Sequence, residues 1–127
     1  MPDLVIDASA VVALLKAEPG PEDFEAMFAG NVIAAVNYSE SADYFARLGL
    51  ERQTIEAMLD RLEMQVVPID RALALDAAML RPFDLNSSFG DRCCVSLAKR
   101  LSLAVLTGDR PMAKVAAAAG VELKFFR

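Results

Sequence analysis

The sequence has 127 residues, 55% of them hydrophobic, with no histidine and a formal net charge of -5. That length suits one domain, and an apolar share above the usual soluble range of roughly 45–50% implies a filled core plus an apolar surface kept for another chain. An acidic chain has no general field with which to coat nucleic acid, and the lack of histidine removes histidine triads and histidine-base nucleases. In chain order, Leu4-Val5-Ile6 predicts a first strand, followed by a helix over residues 10–16 that Glu18-Pro19-Gly20-Pro21 stops. A short helix is expected over 21–30, a second strand over 32–35, and a helix over 37–48 with Gly49 as its C-cap. Helical spacing returns over 51–62, and residues 65–69 read as a third strand. Asp70 can cap a helix over 71–80, residues 82–88 form a loop, and 91–101 is helical again. A fourth strand over 103–106, a helix over 111–119 ended by Gly120, and a closing strand over 121–125 complete the pattern.

Strands alternating with helices predict a three-layer α/β/α sandwich around a central parallel sheet, with residues 1–127 as a single domain. Ligands of such sheets bind beyond the carboxyl ends of the strands, near the switch in strand order. Asp7 directly follows the first strand, and Asp109 follows the fourth across Thr107-Gly108. Both carboxylates share a rim if those two strands are neighbours. Glu40 falls in the first turn of the helix after the second strand, whereas Asp91 reaches the same rim only if a loop returns it there.

Each acid also has an ordinary reading. Asp7 and Asp109 could be N-caps, Glu40 a solvated helix residue, and Asp91 a favourable charge in a first helical turn. Clustering would weigh against those readings. Two unit charges ~4 Å apart at an effective dielectric of ~20 repel by about 4 kcal/mol. Oxygen ligands in this number suit Mg²⁺ or Mn²⁺, and a bound cation would invert the local charge.

Cys93 and Cys94 are adjacent in a helical pattern, where a mutual disulfide would be strained, so two packed thiols are expected. The longest apolar runs, such as Val11 to Leu15, fall far short of the ~20 residues that span a bilayer. The N-terminal stretch lacks a basic region, and Asp3 and Asp7 interrupt it, so it reads as mature structure of a cytoplasmic protein with no membrane association.

Four local sequences carry a family resemblance. Val5-Ile6-Asp7-Ala8-Ser9-Ala10 resembles the opening motif of the PIN-domain family, and Val36-Asn37-Tyr38-Ser39-Glu40 resembles its second acidic motif. Phe89-Gly90-Asp91-Arg92-Cys93-Cys94-Val95-Ser96-Leu97-Ala98 is similar to the GDRxCLALA segment of the bacterial VapC toxins. Leu106-Thr107-Gly108-Asp109-Arg110 resembles their fourth motif, which more usually reads T-A-D. Order, spacing and length agree along essentially the whole chain.

The resemblance implies an endoribonuclease toxin of a type II toxin–antitoxin system, dependent on Mg²⁺ or Mn²⁺ and neutralised by a cognate VapB-type antitoxin. It implies Asp7, Glu40, Asp91 and Asp109 as catalytic and metal-holding residues. Ser9 and Thr107 match supporting hydroxyl positions, and Asn37 and Arg92 match accompanying polar ones. Ser9 reads equally as a capping hydroxyl, and Arg92 as half of a surface ion pair. Two departures leave the acids intact: Ser41 replaces an aliphatic residue, and Gly108 replaces alanine. The apolar surplus points to a homodimer and to an antitoxin tail that could set an arginine against the carboxylates. Two rivals stand beside this reading: a receiver-type phosphoacceptor domain using Asp70, and a PIN-like scaffold without catalysis. No aromatic stacking platform identifies an RNA target.

Overall fold

The computed structural model describes residues 1–127. Its strands are β1 (Leu4–Ile6), β2 (Val32–Ala34), β3 (Gln65–Val67), β4 (Ala104–Thr107) and β5 (Leu123–Phe125). Its helices are α1 (Ala8–Leu15), α2 (Ala35–Arg47), α3 (Arg52–Asp60), α4 (Arg71–Leu80), α5 (Phe89–Leu101) and α6 (Ala113–Ala119). All strand pairings are parallel, in the order β3-β2-β1-β4-β5. The expected α/β/α architecture is present.

Strand alternation sorts the core into two layers. Leu4, Ile6, Ile33 and Leu106 point into a cluster closed by Ala10 and Val11 of α1, Phe45 of α2, and Ile55 and Leu59 of α3. Val5, Val32, Ala34 and Val105 point the other way, against Leu73 of α4, Val95 and Leu97 of α5, and Val115 of α6. The central strands are thus buried on both faces, as continuous apolar runs in a parallel sheet require.

The order reverses between β1 and β4, whose register pairs Val5 with Val105 and Ile6 with Leu106. The two strands expected to carry Asp7 and Asp109 are therefore neighbours. Asp91 returns to this rim through a helical hairpin. Asp70 at the start of α4 holds Arg100 near the end of α5 through two 3.0 Å hydrogen bonds, so the helices run antiparallel and residues 81–88 connect them at the rim.

Several boundaries differ from the sequence expectation. The helix expected over 21–30 is only turns and a 3₁₀ segment at Glu25–Met27. Its amides bond three residues back, as in Phe24 N–H to Pro21 O and Asn31 N–H to Phe28 O, which sets both Phe24 and Phe28 into the core. Helix α2 begins at Ala35 instead of 37, so Glu40 lies in its second turn. Helix α5 begins at Phe89 because Ser88 caps it. The segment after Asp109 opens with a 3₁₀ turn, Arg110–Met112, before α6.

Candidate functional site

Asp7 leaves β1 at the reversal point and is nearly inaccessible, at 4% exposure. It precedes α1, yet its side chain makes no capping bond. Instead Oδ2 accepts two hydroxyl hydrogen bonds, from Ser9 Oγ at 2.6 Å and Thr107 Oγ1 at 2.8 Å. Each hydroxyl is itself fixed by an amide beyond β4. Gly108 N–H donates to Ser9 Oγ at 3.0 Å, and Asp109 N–H donates to Thr107 Oγ1 at 2.9 Å. Two relays therefore run from the end of β4 to one oxygen of Asp7, and Oδ1 takes no protein hydrogen bond. The capping readings of Ser9 and Asp7 do not hold, and Asp109 likewise makes no side-chain cap.

Glu40 reaches the same rim from α2. Asn37 Nδ2 donates to its Oε1 at 3.0 Å and to the Gly90 carbonyl at 3.1 Å, tying α2 to the first turn of α5. The Glu40 carboxylate lies over Gly90 so closely that a Cβ there would sit 2.5 Å from both of its oxygens. Gly90 thus makes room for Glu40 beside Asp91. Asp91 is in the first turn of α5, where its amide donates to the capping Ser88 Oγ at 3.1 Å. The Ser88-x-x-Asp91 spacing resembles a capping box and was a legible signal for this boundary.

The carboxyls of Glu40, Asp91 and Asp109 each feel the charge of Asp7. Burial pushes the Asp91 carboxyl up to about 6, and Asp109, Asp7 and Glu40 push in the same direction. Burial also raises Glu40, with Asp7 adding to the rise and the Asn37 amide opposing it. Asp109 is raised by burial and by Asp7, against a hydrogen bond with Asp91 and the charge of Arg127. Beneath them, the fully buried Cys94 thiol is pushed well up by burial and by the charges of Asp7, Asp91 and Glu40. Cys93 and Cys94 are both free and buried.

The four carboxylates share this rim, but no three acidic or thiol side chains stand close enough to make a ready metal cage. An all-oxygen donor set with one unengaged Asp7 oxygen nevertheless fits a hard divalent cation such as Mg²⁺ or Mn²⁺. Sharing such a cation would relieve the repulsion among them.

Arg92 is not half of a surface ion pair. It is 7% exposed, donates from Nη1 to Ser87 O at 3.4 Å, and leaves Nε without a partner. Asn37 is fully buried with Oδ1 unpartnered. Asp70, the acid a phosphoacceptor would use, is committed elsewhere. It caps α4 through Leu73 N–H at 2.8 Å, and Arg100 holds its carboxyl at about 2.

Solved structures share this architecture. DNA-bound VapBC from Salmonella typhimurium aligns over 100% of both chains, with a TM-score of 0.79 at 17% identity. The VapC20 toxin of Mycobacterium tuberculosis, described as cleaving the sarcin-ricin loop, covers 94% of this chain and 96% of its own, with a TM-score of 0.69 at 19% identity. FitAcB from Neisseria gonorrhoeae covers 98% and 96%, with a TM-score of 0.67 at 21% identity. At these identities the likeness is one of fold. No curated protein matches the chain in sequence. Residues 4–118, from β1 through nearly all of α6, match the PIN domain, and the chain belongs to the PIN-domain family.

Proposed function

We propose that this protein is an endoribonuclease of the VapC type, the toxin of a type II toxin–antitoxin pair, acting as one domain in the cytoplasm. The observation that carries the reading is the pair of hydroxyl relays that fix Asp7 at the reversal point, with Glu40, Asp91 and Asp109 near enough to feel its charge. Asp7, Glu40, Asp91 and Asp109 would hold Mg²⁺ or Mn²⁺, which when bound activates a water nucleophile and stabilises charge on the leaving oxygen of the phosphodiester.

The chain's own residues do the positioning. Ser9 and Thr107 hold Asp7 Oδ2, which leaves its other oxygen for the cation. Asn37 holds Glu40 against α5, and Ser88 fixes the turn that carries Asp91. No helix is long and apolar enough to cross a membrane. The exposed side chains of Leu75, Met79, Phe83, Leu85 and Phe89 support protein partners, which this reading takes to be a second copy and a VapB-type antitoxin.

The test is cleavage of total RNA by protein freed of its partner, with and without Mg²⁺. Asp7→Asn should abolish Mg²⁺-dependent cleavage while the fold persists, because an amide oxygen can still accept from Ser9 and Thr107. Full activity in that variant would overturn the site, and activity in excess EDTA would overturn the metal. A folded chain that cuts nothing yet binds its partner would instead be the non-catalytic scaffold.

A further inference from the structure

Gly108 stands where the family resemblance expects alanine. Its φ is not positive, so the backbone makes no demand for glycine. What the missing side chain provides is room. A Cβ at 108 would lie 2.5 Å from Nε and 3.0 Å from Cζ of Arg127, and 2.7 Å from the Phe126 ring. The Arg127 guanidinium therefore rests against the peptide that joins Thr107 to Asp109.

Its seat is built from both sides. Phe126 is buried and stacks on Phe24 with centroids 4.8 Å apart. Arg110, which directly follows Asp109, lies 4.1 Å over the Phe125 ring and donates to the main-chain oxygen of Arg127 at 2.7 Å. Arg127 also meets Glu18 through Nη1 at 3.3 Å. That contact is half exposed on the arginine side, where such a pair contributes little, and it leaves the other guanidinium nitrogens available.

A strand led toward four carboxylates on a chain of net charge -5 meets repulsion on the way in. We propose that Arg127 and Arg110 form a phosphate-binding rim that holds the RNA backbone next to the scissile phosphodiester, and that Gly108 admits Arg127 to it. The planar guanidinium fork matches phosphate oxygens, and arginines already held by aromatic rings and main-chain oxygen lose little freedom on binding. The inference rests on the ribonuclease reading above.

The test is anisotropy of a labelled single-stranded oligoribonucleotide in Mg²⁺ across a salt series, in an Asp7→Asn background that keeps the probe intact. Arg127→Ala and Arg110→Ala should each weaken binding several-fold and reduce the slope of log affinity against log salt by about 0.7. Gly108→Ala should reproduce the affinity loss of Arg127→Ala although it removes no charge, because the new Cβ displaces the guanidinium. Arg127→Lys should keep the salt slope and lose part of the affinity. In cleavage-competent protein the same changes should raise KM for RNA. Unchanged affinity and slope in the alanine variants, with RNA still bound by the parent, would overturn the rim and spare the ribonuclease. A parent protein that neither binds nor cuts RNA would overturn both.

Discussion

Thr107 and Ser9 act on one oxygen of Asp7 and through it on whatever that carboxylate holds. Such supporting contacts typically contribute 10–100-fold to metal affinity or activity. Thr107→Val keeps the shape and removes the donor, so Mn²⁺ affinity measured by titration calorimetry should fall within about that range. Asp91 makes a different prediction, because its folded carboxyl sits at about 6 instead of 3.8. The folded protein then binds the proton more tightly than the unfolded chain. The contribution of this group is therefore fully present below about 4 and is lost as pH rises from about 4 to about 6. Discounted for partial exposure, the effect is about 1 kcal/mol. Thermal unfolding in EDTA should show this decline, and Asp91→Asn should flatten it. Metal binding runs oppositely: below pH about 6 the proton competes, and apparent Mg²⁺ affinity should drop by up to about tenfold per unit.

The elements carry the tension between stability and function at Gly90. Alanine in the first turn of α5 should be neutral or should stabilise, by up to about 1 kcal/mol. Its Cβ would nonetheless strike both oxygens of Glu40. Gly90→Ala should therefore keep or raise the melting temperature while cleavage collapses. Retained activity would show that the Glu40 carboxylate can move without loss. Much of this level was legible in sequence. Strand β1, the capping of α4 by Asp70 and the position of Asp7 follow from local pattern, since apolar runs and short polar caps state their own structure. Glu40 was placed one turn early because Ala35 reads equally as strand end or helix start. The helix expected over 21–30 failed because Pro21 and two core phenylalanines favoured tighter turns over α geometry. The neighbouring of β1 and β4, the return of Asp91 through the α4–α5 hairpin, and the role of Gly90 are long-range facts that no local window holds. Arg127 was invisible for the same reason. Only the unexplained Gly108 hinted that something leaned on that peptide.

For the molecule as a whole, a cation shared among the acids would link activity to folding. A ligand that binds only the folded state adds about 2.7 kcal/mol at 100 times its Kd. Mg²⁺ should therefore raise the melting temperature of the parent and do so far less in Asp7→Asn, as a calorimetric scan would show. The Thr107–Asp7 hydrogen bond joins positions 100 apart in sequence. Chains emerge from the ribosome N-terminus first, at roughly 5–20 residues per second, so Asp7 waits seconds for the strand that completes it. Until β4 has emerged, β1 lacks one of its two neighbours and the acid set lacks Asp109. On the proposed reading, a nascent chain would be inactive until β4 has emerged, and a fragment ending before Thr107 would lack both Asp109 and the Thr107 relay. On the same reading, the delay would leave an interval in which an antitoxin already present could meet the chain before it becomes active.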